Sequence, residues 1–370
     1  LFQDSQIYPD INKKIHKKIK PFAIYFPQFH DIPENNINYY DGMTDIKNLH
    51  HYLTNMKKEN EILDTPSFSE LGLNTLFDYD LTNKHILERQ IEIAKKHSLY
   101  GFAMYYYWFS ENTITNKHTI MEKCYNRFFE HEITDFKLFF VWANENWTGN
   151  PAFNVIDKRI ANIYDKGNFQ KNITNLMKYF KHPNYYKINN RPVFYIHHPH
   201  LISKDKLSLF KQLLEYECKR NGFQGSYLVL NNMILPKDNS HYFYHFHPNY
   251  KKTDTLDYEK YTERFLTNTD NNTDCLFFDF NNSARLSIPN KLDKVSVYTN
   301  NDIYIQNKFI EKILQKYKNK QETDELNTIL LINAWNEWGE NMAIEPGNIN
   351  HCKYLLLIQS NLLSFFPYRV

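Results

Sequence analysis

Glu337 and Glu340, spaced i, i+3, lie near the end of the chain in the run Ile332-Asn333-Ala334-Trp335-Asn336-Glu337-Trp338-Gly339-Glu340. Two carboxyl groups with indole rings beside them are what glycosidic bond chemistry requires. One carboxyl moves a proton at the leaving oxygen, the other assists attack at the anomeric carbon, and a sugar ring stacks on tryptophan. An isolated Glu-x-x-Glu is also what an exposed helix start carries, because the helix dipole favours acids there. The surroundings decide between these readings, beginning with the apolar run Thr328 to Ile332, which reads as a buried strand feeding the two acids.

Similar apolar runs recur along the chain at Phe22–Phe26, Gly101–Tyr107, Leu138–Ala143, Val193–Ile196, Tyr227–Leu230, Tyr242–Phe246, Leu276–Phe280 and Ile329–Ala334. Unbroken apolar runs of this length are expected of strands buried on both faces of a parallel sheet. Between them lie helical patterns, clearest at Lys84–His97, Phe169–Phe180, Lys204–Arg220 and Ile303–Tyr317, with Lys353–Ser364 last. On the first of these, Ile86, Leu87, Gln90, Ile91 and Ala94 share one face. Eight strands alternating with helices predict an α/β fold, a (β/α)8 TIM barrel in a single domain with long βα loops. The long segments Asp31–Phe68, Ser110–Thr119 and Asn144–Asn168 follow the first three strands, where a barrel builds its active face.

The residues just past each strand form a consistent set. Strand one is followed by Gln28 and His30, strand two by Tyr107 and Trp108, and strand three by Trp142, Asn144, Glu145 and Trp147. His197 and His198 follow strand four, Asn231 and Asn232 strand five, and His245 and His247 strand six. Strand seven contributes Asp279, Asn282 and Arg285, and strand eight Asn336, Glu337, Trp338 and Glu340. Amides, imidazoles and carboxylates interleaved with aromatic rings are what a polyol ligand needs. Each cluster also has a plainer reading: Tyr105 to Phe109 as a strand packing its rings, Trp142 and Trp147 as core. The histidines could ligate a metal, but no HxxxH or HExxH spacing occurs, so no metal is expected and no cofactor either.

Composition narrows the class. The chain has 370 residues, 28 Tyr and 28 Phe, and a net charge of +2, which leaves no basic footprint for nucleic acid. Only 9 glycines occur, none in a GxGxxG or P-loop arrangement, so a doubly wound nucleotide fold has no support. The four cysteines are far apart, which suits a reducing compartment. No run is long and apolar enough for a transmembrane helix. A cytoplasmic location is expected, peripheral to a membrane at most. Because the chain starts at Leu1, it reads as a processed protein or as one domain of a larger glycan-synthesis protein.

With these residues assembled, the chain resembles the WbsX-like proteins, which are related to glycoside hydrolase family 99, the endo-α-mannosidases. The resemblance spans Pro21 to Leu357 and rests first on Tyr25-Phe26-Pro27-Gln28-Phe29-His30 with Pro33-Glu34-Asn35, and on Gly101-Phe102 with Tyr107-Trp108-Phe109. It continues in Trp142-Ala143-Asn144-Glu145-Asn146-Trp147, Arg191-Pro192-Val193, Asn282-Ser283-Ala284-Arg285, and Asn333 to Trp338 with Glu340 and Glu345. The resemblance implies a retaining mechanism in which Glu337 deprotonates a sugar 2-hydroxyl and Glu340 is the general acid/base. For Glu340 to act as an acid its pKa must be raised, which a second carboxylate and burial against tryptophan would do. It also implies sugar contacts from Gln28, His30, Tyr107, Trp108, Trp142, Asn144, Glu145, Trp147, His197, His247, Asn282, Arg285, Asn336 and Trp338.

The chain departs from the family pattern at Gly42-Met43-Thr44-Asp45-Ile46, where relatives have Gly-Phe-Thr-Glu-Trp, and at Tyr106, His197-His198 and Asn281. Asp78-Tyr79-Asp80 resembles the Asp-x-Asp of some glycosyltransferases, but it precedes a helix that Asp80 or Thr82 is expected to cap. Residues 1–20 read as an N-terminal extension or linker and 21–370 as the catalytic domain. The functional expectation is a carbohydrate-active enzyme working on glycosidic bonds of a surface polysaccharide or lipid-linked glycan. The alternatives are a glycosyltransferase of O-antigen or capsule type, with a nucleotide-sugar or lipid-linked donor, and a non-catalytic glycan-binding domain of a larger synthase.

Overall fold

The apolar runs become eight principal strands: β1 (Lys20–Tyr25), β2 (Gly101–Trp108), β3 (Lys137–Trp142), β4 (Arg191–Ile196), β5 (Tyr227–Asn231), β6 (Tyr242–Tyr244), β7 (Asp274–Phe277) and β8 (Ile329–Asn333). Helices at Lys84–Lys96, Lys166–Phe180, Lys204–Arg220 and Ile303–Asn319 intervene, and Lys353–Phe365 comes last. This computed structural model describes residues 7–57, 59, 61–130, 135–148, 159–231, 242–244, 255–266, 273–288, 295–319 and 325–367. They divide into two compact units, described in turn.

The first unit comprises Leu1–Phe26, Asp45–Phe102 and Phe246–Val370. In it β1 pairs in parallel with β8 (Lys20 beside Ile329, Ala23 beside Ile332), and β8 pairs in parallel with β7 (Asp274 beside Leu330, Phe277 beside Asn333). Every residue of β8 is buried, which is why its sequence is unbroken Ile-Leu-Leu-Ile with no polar alternation. β7 begins at Asp274, two residues before the apolar run predicts. The acid hides the strand start in sequence, yet it is buried, 3.6 Å from Lys316 Nζ, with its N–H donating to the Tyr317 hydroxyl.

The helix Lys84–Lys96 buries Ile86, Leu87, Gln90, Ile91, Ile93 and Ala94. Its cap is Asn83, whose side chain accepts the His85 N–H at 3.0 Å, and not Asp80 or Thr82. The Asp80 carboxylate instead takes the Thr82 N–H and hydroxyl, closing the turn just upstream. The segment after β1 is longer than an ordinary loop because it carries helices of its own. Of these, Asp45–Asn55 belongs to this unit and buries Asp45, Ile46, Asn48, Leu49 and Tyr52. Near the N-terminus, helix Ile7–Lys18 is tied to the same unit: the Asn12 amide donates to the Lys95 carbonyl, His16 bonds the Ser98 carbonyl, and Ile15 is fully buried.

Past β8 the chain is braced by Asp64. Its carboxylate accepts the N–H groups of Thr65, Ile349 and Asn350 at 2.8–2.9 Å. Gly347 leaves room for it: a Cβ there would lie 2.0 Å from Asp64 Oδ2. Gly347→Ala is therefore expected to displace the carboxylate and cost about 2–4 kcal/mol of stability through lost charge-assisted bonds and overpacking. The urea midpoint checks this, and an unchanged midpoint would count against the brace.

The second unit comprises Pro27–Thr44 and Ala103–His245. Its strands run in the order β2, β3, β4, β5, β6, with parallel pairing of Phe140 beside Phe194, Tyr227 beside Val193 and Val229 beside Tyr242. All residues of β2 are buried, and Tyr106 stacks on Phe140 with ring centroids 5.0 Å apart, so the aromatic run Tyr105 to Phe109 includes true core packing. The Tyr106 hydroxyl is satisfied by Asn172 and Asn175 of helix Lys166–Phe180. Of the expected sixth strand, Tyr242–Phe246, residues Tyr242–Tyr244 pair in register with β5, and residues 245–250 lie outside the described residues.

Candidate active site

The two acids emerge where β8 ends. Beyond Asn333, the Trp335 N–H donates to the Ile24 carbonyl at 2.7 Å, and the Asn336 amide clasps Phe26, accepting its N–H and donating to its carbonyl. The chain is thereby fastened to the end of β1 before it turns. Trp338–Glu340 form one 3-10 turn, with Asn341 in the left-handed region at φ 52°. Glu337 and Glu340 are 5% and 8% exposed, so they are not an exposed helix start.

What compensates them is Arg285, on the short helix Ser283–Ser287. Its Nη2 donates to Glu337 Oε2 at 2.7 Å, and its Nη1 donates to Glu340 Oε1. Its Nε and Nη2 also donate to Asp45 Oδ2, at 2.8 and 2.5 Å. The guanidinium fork is suited to this, since its nitrogens point in fixed directions and each can address a different carboxylate. The Phe26 ring lies 5.3 Å from the guanidinium carbon and completes the cage.

The charge count matters. Three buried carboxyl groups share one cation, so full ionisation leaves net negative charge in a poorly solvated place. Burial pushes the Glu337 carboxyl up to about 8; Arg285 opposes this, and Glu340 and Asp45 reinforce it. Burial thus drives Glu337, beside the acid that sequence reasoning singled out for a raised pKa, towards its protonated form.

Behind the turn lies another buried carboxylate. Glu345 accepts the Tyr79 hydroxyl at 2.6 Å, the Gln90 amide at 2.7 Å and the Trp338 indole N–H at 3.0 Å. Gln90 in turn accepts the Tyr25 hydroxyl at 2.7 Å. Burial pushes Glu345 up to about 7 despite these donors, because none of them is charged. This network fixes the indole of Trp338, and with it the turn that carries both acids.

These groups give stability a pH dependence. Glu337 and Glu345 hold protons in the folded state at pH values where the unfolded chain has released them, so each contributes stability below about pH 4.5 that is lost as pH rises through 7 to 8. His16, His97 and His198, whose burial lowers their pKa, act oppositely, but only below about 6.5. Between about pH 6.5 and 8 these carboxyls dominate among the described residues, and unfolding free energy is expected to fall by on the order of 2 kcal/mol. A Tm that rises across that window would contradict the buried-acid assignment.

The other residues singled out in the sequence divide by what their side chains touch. In the first unit Asn282 is mostly buried and accepts the Ser296 N–H, and Asn336 is fully buried in its clasp on Phe26. Trp338 is 2% exposed, so its ring offers no face to a sugar; an indole N–H needs a partner when buried, and Glu345 supplies it. In the second unit Trp142 is 1% exposed with its N–H on the Trp108 carbonyl, and Trp108 stacks on His118, so neither ring is free for stacking. Asn144 is fully buried and bonds the backbone of His198 and the Tyr164 hydroxyl.

Gln28, His30 and Tyr107 are buried, with the Gln28 amide against Met43 Sδ, and His197 bonds the Tyr244 hydroxyl. Glu145 and Trp147 keep partly exposed side chains; Glu145 lies 3.6 Å from His198, and Trp147 meets Tyr107 edge-on at 5.3 Å. His247 and Asn232 lie outside the described residues. Asp78 and Asp80 are spent on local N–H groups of their own turns. Sequence reasoning missed Asp45 as the third carboxylate and Gln90 as a network member; a polar residue on the apolar face of its helix was the available signal for Gln90.

Comparison with known proteins gives the family and the fold. The profile of the family described as Glycosyltransferase WbsX matches residues 21–250 and 233–358. The uncharacterized protein WxcX, from two strains of Xanthomonas campestris pv. campestris, is 27% identical over 183 residues, which cover 49% of this chain and 24% of WxcX. The match thus spans about a quarter of the length of these curated relatives. Among solved structures, a GH99 endo-alpha-mannosidase from Bacteroides thetaiotaomicron is similar with a TM-score of 0.52 and 11% identity, covering 94% of this chain and 97% of that one. A glycoside hydrolase-like protein is similar with a TM-score of 0.56 and 13% identity, covering 95% of each chain. These likenesses show the (β/α)8 fold. Matched to the profile over most of its length, the chain belongs to the WbsX glycosyltransferase family.

Proposed function

We propose that the protein breaks or exchanges a glycosidic bond of a surface polysaccharide or lipid-linked glycan, using Glu337 and Glu340 with retention of anomeric configuration. The observation that carries this is that both carboxylates meet neighbouring nitrogens of one guanidinium. That close setting supports the retaining arrangement, with carboxyls about 5–5.5 Å apart, over the wider inverting one. In the first step the ionised form of Glu337, whose share grows as pH rises towards 8, takes the proton of the sugar 2-hydroxyl, whose oxygen bonds to the anomeric carbon. The bond to the leaving oxygen breaks, and that oxygen receives the proton of Glu340. In the second step Glu340 takes a proton from water or an acceptor hydroxyl, whose oxygen attacks the anomeric carbon as the bond from that carbon to the 2-oxygen breaks, and Glu337 returns the proton to the 2-oxygen.

A transferase acting in O-antigen or capsule-type biosynthesis is the second reading, favoured by the family's description. Incubation with mannose- and rhamnose-containing oligosaccharides, with and without nucleotide sugars, separates the two. Product formed without any nucleotide sugar is the outcome expected of the two-carboxylate mechanism. Strict dependence on a nucleotide sugar would assign the transferase, and binding without turnover would assign a glycan-binding domain.

A further inference from the structure

We propose that Asp45 is a positioning residue of the Glu337–Glu340 pair: its carboxylate anchors Arg285 and seats against Gly339, so that one guanidinium addresses both acids at once. The inference rests on the two-carboxylate reading above, and two separate observations carry it.

The first is the allocation of donors. Asp45 Oδ2 takes Arg285 Nε and shares Nη2, which leaves Nη1 for Glu340 and the second proton of Nη2 for Glu337. A guanidinium is planar, so holding its Nε edge fixes the directions of both Nη atoms. Without that hold, Nη2 is released from Asp45 and the guanidinium settles on Glu337 at the expense of Glu340. Asp45 opens the helix Asp45–Asn55 and is only 2% exposed, so its own position is set by a rigid element.

The second is steric. Gly339 stands between the two acids in the turn, and a Cβ there would lie 2.5 Å from Asp45 Oδ2 and 2.7 Å from Asp45 Cγ. The turn is therefore keyed to this carboxylate by shape as well as by charge. Any side chain at 339 would push Asp45 away from the guanidinium.

The test needs no substrate. Protein labelled with 13C at the glutamate side-chain carboxyl is titrated by NMR, with the Glu337 signal assigned from its loss in Glu337→Gln. Asp45→Asn removes a competitor for the guanidinium and a like charge, and is expected to move the Glu337 titration down by roughly one pH unit. Asp45→Glu, which keeps the charge, is expected to restore most of it. Should Asp45→Asn fail to fold, Gly339→Ala decides, since it displaces the carboxylate without changing any charge and is expected to shift the same signal in the same direction. A Glu337 titration identical to wild type in a folded Asp45→Asn or Gly339→Ala protein would overturn the proposal. A fault in the two-carboxylate reading shows separately, as undiminished turnover by Glu340→Gln.

Discussion

Replacing Arg285 with Gln is expected to lower the unfolding free energy by about 3–5 kcal/mol near pH 8, the cost of leaving buried charge without its partner. Glu337, Glu340 and Asp45 are each at most 8% exposed, and Arg285 is hydrogen-bonded to all three. A neutral amide keeps some hydrogen bonding but supplies no countercharge, so the acids must take up protons or the turn must open to water. Protonation is the cheaper response at low pH. The penalty should therefore shrink towards about pH 5, where Glu337, already raised by burial, is neutral. Urea unfolding of wild type and Arg285→Gln at the two pH values measures the difference. Arg285→Lys should recover only part of the loss, because a point charge cannot serve three carboxylates in fixed directions. A deficit that is equal at both pH values would mean that packing against Phe26, and not charge, is what Arg285 supplies.

Much of the architecture was legible because burial on both faces leaves a plain mark. Ile329–Asn333 and Gly101–Trp108 contain no alternation, and the helix Lys204–Arg220 matches its sequence pattern at both ends. Boundaries slipped where a polar residue is buried with a partner from far along the chain, as Asp274 is beside Lys316. The site was legible in part for the same reason. Glu337 and Glu340 are close in sequence and mark themselves, but Asp45 joins them through Arg285, across 240 positions. An acid at a helix start reads locally as a complement to the helix dipole, which conceals its second role.

Tryptophan misled in a consistent way. Within polar clusters Trp142 and Trp338 read as stacking surfaces, yet both are buried by finding acceptors for their N–H groups, a main-chain carbonyl in one case and Glu345 in the other. Trp147, whose side chain bonds Glu145, differs in keeping a partly exposed ring beside Tyr107.

The largest catalytic effect is expected at Glu340. Glutamine at 340 retains the shape and can still accept a hydrogen bond from Arg285, but it has no proton to give the leaving oxygen and cannot take one from the incoming nucleophile. General acid/base assistance of this kind is worth about 10²–10⁴ in rate. The loss should depend on the leaving group. A phenolate that departs without protonation removes the need for the acid in the first step, so an activated aryl glycoside should be turned over with a smaller deficit than a natural oligosaccharide. A residue with a merely structural role would lower both rates alike.

The most direct measurement is the turnover of one oligosaccharide by wild type and Glu340→Gln, with circular dichroism confirming that both are folded. A fall of about 10² or more in kcat, partly recovered with the activated aryl glycoside, is the predicted result. Equal turnover by the two folded proteins would contradict the assignment of Glu337 and Glu340 as the catalytic pair.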